Sequence, residues 1–491
     1  MNAWHHIWIW ITGNVGVLLW TFYLTIAIYM IIMMVLSRLN PVKTLSWILV
    51  LLTLPYVGML LYLFFGQNHR KRKMYSRKGM RDVHIMNSLG KQQIIQANYT
   101  DWINAEKMEI YKKTILLQLN NSRALLTSKN KMEVYDNGND TFAAMKRSIA
   151  SATHSIHLES YIIVADKIGS EIKNLLVEKA TAGVEVRIIY DGIGSWHLSQ
   201  QYITDLKKAG VEIYPFGRVT MPWLVRNVNY RNHRKILVVD GHTGFLGGIN
   251  IADRYADGGN FDRWRDAHIR IEGEAVHSLQ AAFLLDWFFV SKKQVGQRTN
   301  YYPKTNIDDK HYVQIVPSGP DSDWESIMQA YFSAIMQAKE RIYIITPYFT
   351  PNESILTAIK VASLSGVDVR LILPGKSDSK ITYWSTLSYL SELHEAGVKV
   401  YLYQNGFNHS KIITIDGNFA AIGSANMDAR SFEHNFEITG LFYDEFIATK
   451  LEEQFKKDMK NSRFIRSYRW EKRKFWRKLA EGLARLLSPL L

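Results

Sequence analysis

Two segments of this chain carry the same pattern of charged and apolar residues, and that repeat restricts the folds open to it. Residues 233–240 read His-Arg-Lys, four apolar residues and Asp, and residues 409–416 read His-Ser-Lys, four mainly apolar residues and Asp. In both copies a Gly follows the Asp, and the chain returns through a second apolar run that ends at Asn250 or Asn426. Two apolar runs joined by Asp-Gly predict a β-hairpin. The chain therefore contains two copies of one hairpin-bearing unit.

The segments around the two hairpins also repeat, in the same order. Each half reads strand, helix, strand, helix, strand and then the hairpin, which is the alternation expected of an α/β layered sheet. We predict two similar α/β halves at residues 131–290 and 312–462, joined by a polar linker at 291–311. The matching segments are 156–161, 183–189 and 209–214 in the first half and 342–348, 366–372 and 396–401 in the second.

Each hairpin presents a His and a Lys on one face. Side chains two residues apart on a strand point to the same side, so the His and the Lys of each copy project together. A single pair of this kind is most often a solvated strand face, but repetition of the whole spacing favours a shared function. The Asp of each copy lies at the hairpin turn, where stabilisation of the turn is the expected role. We group as catalytic motif residues His233, Lys235, Asp240, His409, Lys411 and Asp416.

The composition limits the partners and cofactors of the chain. A formal net charge of +15 over 491 residues predicts an anionic partner, and charge alone admits both nucleic acid and anionic lipid. The absence of cysteine excludes a disulfide framework and thiolate metal sites. Neither His-Glu-x-x-His nor a Gly-x4-Gly-Lys-Ser/Thr loop occurs, so we predict no metal and no other cofactor.

The first 66 residues have the composition of membrane segments. Residues 15–36 are almost wholly apolar, and a second uncharged run spans 44–66, interrupted by Pro55. We predict a transmembrane hairpin of two helices in 1–66. Basic residues crowd 70–81, just after the second run, so the positive-inside rule predicts a multi-pass protein with its catalytic part in the cytoplasm.

Two further basic segments flank the repeated halves. Residues 67–130 are polar and basic, and we predict a juxtamembrane linker with some helix there. The tail at 463–491 is basic and amphipathic, and its apolar residues recur at helical spacing. This pattern leaves two interpretations open, a helix packed on the protein or an interfacial helix on anionic lipid. Residues 221–224, Met-Pro-Trp-Leu, are a candidate cover or membrane contact, although packing within the first half explains them as well.

The doubled motif resembles the signature of the phospholipase D superfamily. More narrowly, residues 40–58 and 486–491 are similar to the corresponding parts of bacterial cardiolipin synthases. The superfamily resemblance implies two phospholipase D-like halves that bring their hairpins together across a pseudo-twofold axis, so that two motifs make one active site. Here that catalytic unit is preceded by the predicted transmembrane hairpin.

The resemblance also implies a role for each polar residue. Exchange of a phosphodiester needs a nucleophile, a proton for the leaving alkoxide, and positive charge around the phosphate oxygens. By analogy one His attacks to form a phosphohistidine and the other protonates the leaving oxygen. We favour His233 as the nucleophile on that analogy alone. The residues implied to bind the phosphate are Lys235, Lys411, Asn250 and Asn426.

Two carboxylates occur in matching positions downstream of the motifs. Asp266 follows the first motif and Glu437 follows the second. A catalytic His needs its far ring nitrogen held by a hydrogen bond, and the superfamily's downstream acidic residues suggest this role. We pair Asp266 with His233 and Glu437 with His409, each within its own half.

The resemblance implies that the enzyme joins two phosphatidylglycerol molecules into cardiolipin and releases glycerol. Its expected partners are anionic phospholipids, phosphatidylglycerol and cardiolipin, and the bilayer of the bacterial inner membrane, with no nucleic acid. A membrane-bound hydrolase of phospholipase D type, a phosphatidyltransferase with another acceptor and a nuclease are the alternatives. A binding module for anionic headgroups explains the doubled His less well. The oligomeric state stays open.

Overall fold

The computed structural model describes residues 13–36, 41–63, 110–217, 230–293, 295 and 299–488. Within these ranges the chain forms two compact units, one made by the N-terminal helices and one that contains both repeated halves. The linker residues 67–109 and the candidate cover at 221–224 lie outside the described residues.

The N-terminal unit contains three apolar helices, α1 (Val15–Leu36), α2 (Pro41–Thr53) and α3 (Val57–Leu61). At 1.5 Å per residue α1 is about 33 Å long, and its length and composition are sufficient to cross a membrane. Among the described residues it is the one helix that meets both requirements. The second run is not one continuous helix, because it breaks between Thr53 and Val57, and its crossing of a membrane stays a prediction.

Pro55 explains the break. Proline has no N–H to donate, and its ring clashes with the carbonyl four residues earlier in a helix. That carbonyl belongs to Leu51, and it accepts a hydrogen bond from the Tyr23 hydroxyl on α1. Tyr56, just after the proline, has a positive φ of 62°. The broken segment still packs on α1 through an apolar cluster that includes Met30, Leu51 and Tyr62.

The second unit contains the repeat. The first half has strands β1 (Leu126–Tyr135), β2 (Ser155–Ser160), β3 (Glu185–Asp191), β4 (Glu212–Phe216), β5 (Ile236–Val239), β6 (Thr243–Gly247), β7 (Trp264–Arg265) and β8 (His268–Gly273). Its helices, after α4 (Lys112–Asn121), are α5 (Gly138–Ser151), α6 (Lys167–Thr181), α7 (Gln200–Lys208), α8 (Arg254–Asp257) and α9 (Ala275–Ser291). A 3-10 turn at Thr299–Tyr301 follows.

The second half repeats this order. Its strands are β9 (Lys310–Ser318), β10 (Arg341–Ile345), β11 (Phe349–Thr350), β12 (Asp368–Pro374), β13 (Lys399–Tyr403), β14 (Phe407–Asn408), β15 (Ile412–Ile415), β16 (Phe419–Gly423), β17 (Met427–Asp428), β18 (Glu437–Phe442) and β19 (Ser462–Phe464). Its helices are α10 (Ser326–Met336), α11 (Glu353–Leu364), α12 (Lys380–Ser388), α13 (Leu390–Glu395), α14 (Ala429–Glu433), α15 (Glu445–Lys460), α16 (Ser467–Glu471) and α17 (Phe475–Leu486).

The two halves share one sheet whose strand order is symmetric. The 15 strands run β19-β13-β12-β10-β15-β16-β18-β9-β1-β8-β6-β5-β2-β3-β4. Apart from β19, corresponding strands lie at equal distances from the central β1–β9 pair, which is antiparallel. A pseudo-twofold axis therefore passes between β1 and β9, and the prediction of two similar α/β halves is confirmed.

Helices cover both faces of the sheet. Helices α9 and α15 pack on one face over a core drawn from both halves. On the other face α5, α6 and α7 cover the first half, and α10, α11 and α13 cover the second. The predicted end of the linker at residue 130 is wrong. Ile115 and Leu119 of α4 belong to the core of the second half, and β1 already begins at Leu126.

Both motif segments form the predicted hairpins. Strand β5 pairs with β6 from Ile236 opposite Leu246, and β15 pairs with β16 in the equivalent register. The turns are tight, and the motif aspartates Asp240 and Asp416 each have a φ of 53°. The His and Lys of each motif thus come directly before the first strand of its hairpin, β5 or β15.

Candidate active site

The backbone beside each motif His is held by the opposite half. The two-residue strand β7 runs parallel to β14, and a single bridge joins Asn232 to Phe436. The backbone N–H of His233 donates to the Phe436 carbonyl at 2.9 Å, and that of His409 donates to the Arg265 carbonyl at 2.7 Å. Each half therefore contributes the backbone support for the other half's histidine.

The carboxylates cross over in the same way. Nδ1 of His233 lies 2.9 Å and 3.0 Å from the two carboxylate oxygens of Glu437. Nδ1 of His409 lies 2.7 Å from Oδ2 of Asp266. The predicted pairing of Asp266 with His233 and of Glu437 with His409 is wrong. Each carboxylate directly follows the residue whose carbonyl binds the opposite histidine, so the cross-half bridge and the side-chain pair form together.

The two carboxylates are held by different neighbours. Glu437 is fully buried, accepts a hydrogen bond from the Ser424 hydroxyl, and has Asn435 Nδ2 at 3.3 Å. Gly248 is the first-half counterpart of Ser424, and a Cβ built there would lie 2.1 Å from Asp266 Oδ1. The first half thus has no space for a side chain at this point, where the second half uses a hydroxyl.

The motif lysines are buried beside the histidines. Lys235 and Lys411 are each 2 % exposed. Nζ of Lys235 donates to the carbonyl of His233 at 2.6 Å, and Nζ of Lys411 donates to the carbonyl of His409 in the same way. Nζ of Lys411 also lies 2.9 Å from Nδ1 and 3.1 Å from Nε2 of His409. Burial lowers the pKa of Lys235 to about 7 and that of Lys411 to about 8. An anionic phosphate in the site favours the charged form of both amines.

Burial favours the neutral form of both histidines, and a carboxylate orients each ring. Burial lowers the pKa of His409 to about 4, with the nearby Lys411 acting in the same direction. Burial also lowers the pKa of His233, against the opposing effect of Glu437. Burial opposes ionisation of the partner carboxylates, but Lys411 and His409 hold the pKa of Asp266 below its ordinary value. A neutral imidazole that donates from Nδ1 to such a carboxylate keeps Nε2 available for attack or proton transfer.

The predicted phosphate-binding asparagines both line the cavity in front of the histidines. Oδ1 of Asn250 accepts from the N–H of Ile162 at 3.1 Å, and its amide nitrogen donates to the Tyr255 hydroxyl. Nδ2 of Asn426 donates to Asp428 at 3.0 Å. Both amides are already engaged, so their role toward phosphate stays a prediction.

The motif aspartates lie away from the cavity. Asp240 accepts the backbone N–H groups of residues 153–155, and Asp416 accepts those of residues 339–341. Each lies five positions beyond its motif lysine on extended chain, about 16 Å at the rise of a strand. Their grouping as catalytic residues is therefore wrong, and they stabilise the hairpin turn as its sequence indicated.

One cavity of about 660 Å³ contains both histidines. Tyr161 packs edge-on against His233 with ring centroids 5.0 Å apart, and Tyr348 packs against His409 at 6.2 Å. These tyrosines lie at matching ends of repeated segments, a signal that could have identified them. Other lining residues carried no such signal: Arg231, Arg254, Asp378, Ser379, Thr382, Arg430 and Asn435.

The site contains two imidazoles, and each is oriented by a carboxylate and lies beside a buried lysine. This arrangement suits phosphodiester transfer through a histidine. On two fused α/β repeats, this arrangement defines the class of two-motif proteins with the phospholipase D fold. The crystal structure of phosphatidylserine synthase from Haemophilus influenzae has this fold. It matches 77 % of this chain and 100 % of that chain with a TM-score of 0.59 at 15 % identity.

Sequence comparison gives the family. The family described as "Cardiolipin synthase, PLD-like domain" matches residues 145–287 and 331–459, once in each half, and the chain belongs to it. Residues 24–67 match the family described as "Phospholipase D-nuclease N-terminal". Cardiolipin synthase of Halalkalibacterium halodurans is 42 % identical over 485 residues, 98 % of this chain and 95 % of that protein. Cardiolipin synthase 2 of Bacillus cereus is 41 % identical over 461 residues, 93 % and 88 % of the two chains.

Proposed function

We propose that this chain is a cardiolipin synthase that transfers a phosphatidyl group from one phosphatidylglycerol molecule to another. The observation that carries the proposal is the crossed pair of His–carboxylate contacts at one cavity. The relatives that match this chain over nearly its full length are named cardiolipin synthase. Because one phosphodiester replaces another, the reaction needs no nucleotide.

In the first step Nε2 of one histidine attacks the phosphorus of a phosphatidylglycerol. The new N–P bond replaces the P–O bond to the headgroup, and the other histidine gives its proton to the departing glycerol oxygen. The anionic substrate supplies the charge that favours protonation of that second histidine. The products of this step are glycerol and a phosphatidyl-histidine.

In the second step the same two histidines act in reverse. The neutral second histidine takes a proton from the headgroup hydroxyl of another phosphatidylglycerol, and that oxygen attacks the phosphorus. The P–O bond of cardiolipin forms while the N–P bond breaks, so both histidines return to their starting state. Water is the competing acceptor, and its attack gives phosphatidic acid instead.

His233 is the nucleophile in this proposal. A phosphorylated imidazole ring is cationic when its other nitrogen is protonated, and Glu437 lies against Nδ1 of His233. The neighbouring Lys235 amine is directed to a backbone carbonyl. At His409 the Lys411 amine also donates to the backbone carbonyl of its histidine, and in addition it lies 2.9 Å from Nδ1 of the ring. Like charge there opposes a cationic adduct and the cationic acid form of His409 alike, so the assignment of His233 as nucleophile rests on analogy with two-motif relatives. Mapping of the phosphatidyl adduct to His233 or His409 tests it.

The membrane arrangement is also part of the proposal. Helix α1 anchors the enzyme in the bacterial inner membrane, and the broken run of α2 and α3 returns the chain to the same side. The catalytic unit is then cytoplasmic and takes anionic phospholipid rather than nucleic acid. A reporter fused after Leu491 should be cytoplasmic and a tag placed in residues 37–43 should be external. The opposite labelling would reverse the orientation.

The reaction is tested with purified full-length protein and phosphatidylglycerol alone, followed by lipid and glycerol analysis. Cardiolipin and glycerol in equal amounts are the expected products. His233→Ala and His409→Ala should each reduce the rate by at least about 10³-fold, because each removes a group needed in both steps. His242→Ala, at an exposed position in the first hairpin turn, is the matched control. Phosphatidic acid as the sole product would indicate a hydrolase, and cleavage of DNA with lipid unchanged would indicate a nuclease.

A further inference from the structure

Helix α17 carries an apolar face that points away from the protein. At about 100° per residue, Glu481 and Ala484 fall on one side of the helix and Leu479, Leu483 and Leu486 on the opposite side. Glu481 is 2 % exposed, whereas Leu483 is 57 % and Leu486 is 75 % exposed. A helix that packs on a soluble core presents its apolar stripe inward. The orientation of α17 is the reverse.

Polar contacts hold the helix in this orientation. The buried Glu481 carboxylate accepts from Arg473 Nε at 3.1 Å and from Arg477 Nε at 3.0 Å. Arg485 Nη2 donates to Glu392 on α13 at 2.6 Å, and its guanidinium lies 4.1 Å from the Tyr389 ring centroid. The tail therefore packs on the second half of the chain through the polar face of α17, and the apolar face of α17 is exposed.

The exposed apolar surface continues toward the catalytic cavity. Helix α12 packs along α17 and adds Ile381 and Trp384, which are 48 % and 43 % exposed. Ser379 and Thr382, at the start of the same helix, line the catalytic cavity. One helix, about 10 Å across, thus joins the apolar surface to the entrance of the site.

Basic side chains accompany this apolar surface. Lys472 and Lys474 precede α17, Lys478 lies on it and Lys380 begins α12, all in exposed positions. Exposed apolar side chains bordered by lysines match a partner with an apolar interior and an anionic surface, which describes an anionic lipid leaflet. A second copy of the chain would bring like charges together instead.

We propose that α17 and α12 form a lipid-docking surface that inserts its apolar side chains into an anionic leaflet and holds the catalytic cavity at the headgroups. The docking itself is independent of the chemistry at the histidines. Its use, to present phosphatidylglycerol to the cavity, rests on the proposed function.

The absence of cysteine allows a direct test. Leu483→Cys in the full-length protein gives a single site for a bimane fluorophore on the apolar face. The labelled protein is reconstituted into vesicles of phosphatidylcholine with phosphatidylserine that contain a doxyl-lipid quencher. Lys207→Cys, on the exposed side of α7 in the first half, is the matched control.

The proposal predicts strong quenching at position 483 and little at position 207. Quenching at 483 should decrease when phosphatidylserine is replaced by phosphatidylcholine. Equal, weak quenching at both positions in an enzyme that still makes cardiolipin would overturn the docking surface and leave the proposed function intact. Crosslinking between 483 positions of separate chains, without quenching, would overturn it in favour of self-association. Quenching at 483 without any cardiolipin formed would support the surface and contradict the proposed function.

A second measurement separates docking from chemistry. Leu483→Gln with Leu486→Gln should lower the rate on phosphatidylglycerol in vesicles by about tenfold, because the site loses its local contact with lipid. The same variant should retain its rate, within about twofold, on phosphatidylglycerol dispersed in detergent micelles. Leu364→Gln, at a 71 % exposed leucine that ends α11, is the control. Equal loss in vesicles and micelles would contradict the proposal.

Discussion

Glu437 and Asp266 orient the two histidines with different geometry. The longer Glu437 side chain accepts a hydrogen bond from the Ser424 hydroxyl. The shorter Asp266 side chain instead occupies the space that the missing side chain of Gly248 leaves open. The pseudo-twofold axis therefore relates residues of the same function but not of the same shape. Because the two carboxylates have different surroundings, the two histidines can perform different steps of the reaction.

Gly248→Ala should impair the enzyme more than Ser424→Ala. The added methyl would displace the Asp266 carboxylate from His409, and we expect at least about a 10²-fold loss of kcat. Ser424→Ala removes one of several contacts to Glu437 and should cost about tenfold. Steady-state cardiolipin formation measures both, with thermal unfolding as the control for folding. Normal turnover by the Gly248 variant would show that Asp266 does not position His409.

The buried lysines should make stability depend on pH. The pKa of Lys235 is lowered to about 7 by burial, from an ordinary value of 10.5. Between these values the unfolded chain binds more protons at this position than the folded chain, so its contribution to stability rises as pH rises from 7 to 10.5. Lys235→Met should therefore stabilise the protein by a few kcal/mol at pH 7, with a gain that shrinks toward pH 10.5. Thermal unfolding at both pH values tests this, and a constant difference would contradict it.

At the scale of elements, two very short strands determine the site. Strands β7 and β14 have two residues each, yet their pairing brings Asp266 to His409. The Arg265 side chain, 1 % exposed, is fixed there by Asp458 on α15 at 3.3 Å and by the Asp136 carbonyl at 2.7 Å. This buried ion pair links the first half to a helix of the second.

Asp458→Ala should leave the Arg265 charge buried without its partner carboxylate. We expect a loss of about 3–5 kcal/mol in the free energy of unfolding, together with reduced activity as β7 shifts. The double variant Arg265→Met with Asp458→Leu should recover most of that stability, because it removes both charges. Denaturant unfolding measures both proteins. Equal destabilisation of the single and double variants would show that the charge pair is not the cause.

The sequence predicted the long elements and missed the short ones. The hairpins around Asp240 and Asp416 follow from apolar runs joined by Asp-Gly, a local signal. The pairing of Asp266 with His409 depends on a contact across 143 residues, between strands too short to show any periodicity. The break at Pro55 was visible, but its effect depends on whether a neighbour satisfies the freed carbonyl.

At the scale of the whole molecule, each histidine depends on the half in which it does not lie. The β1–β9 pair and the cores under α9 and α15 join the halves into one continuous sheet. The described residues that line the catalytic cavity all belong to this one unit of a single chain. The activity should therefore not require a second copy.

A mixture of two inactive variants tests this expectation. His233→Ala and His409→Ala chains reconstituted together should stay inactive, because neither chain holds both histidines at one cavity. Recovery of about a quarter to a half of the wild-type rate per site would instead indicate exchange of halves between chains, as in a swapped dimer. A mixture of wild-type and His242→Ala chains provides the reference rate.

The crossed contacts also set an order of events during translation. Helix α1 and the first half leave the ribosome well before Glu437 is made, so the growing chain contains His233 without the carboxylate that orients it. The nascent chain is therefore inactive. Its chemistry begins only when the strand that carries Glu437 joins the sheet, and a synthesis that stops early leaves a fragment without a complete site.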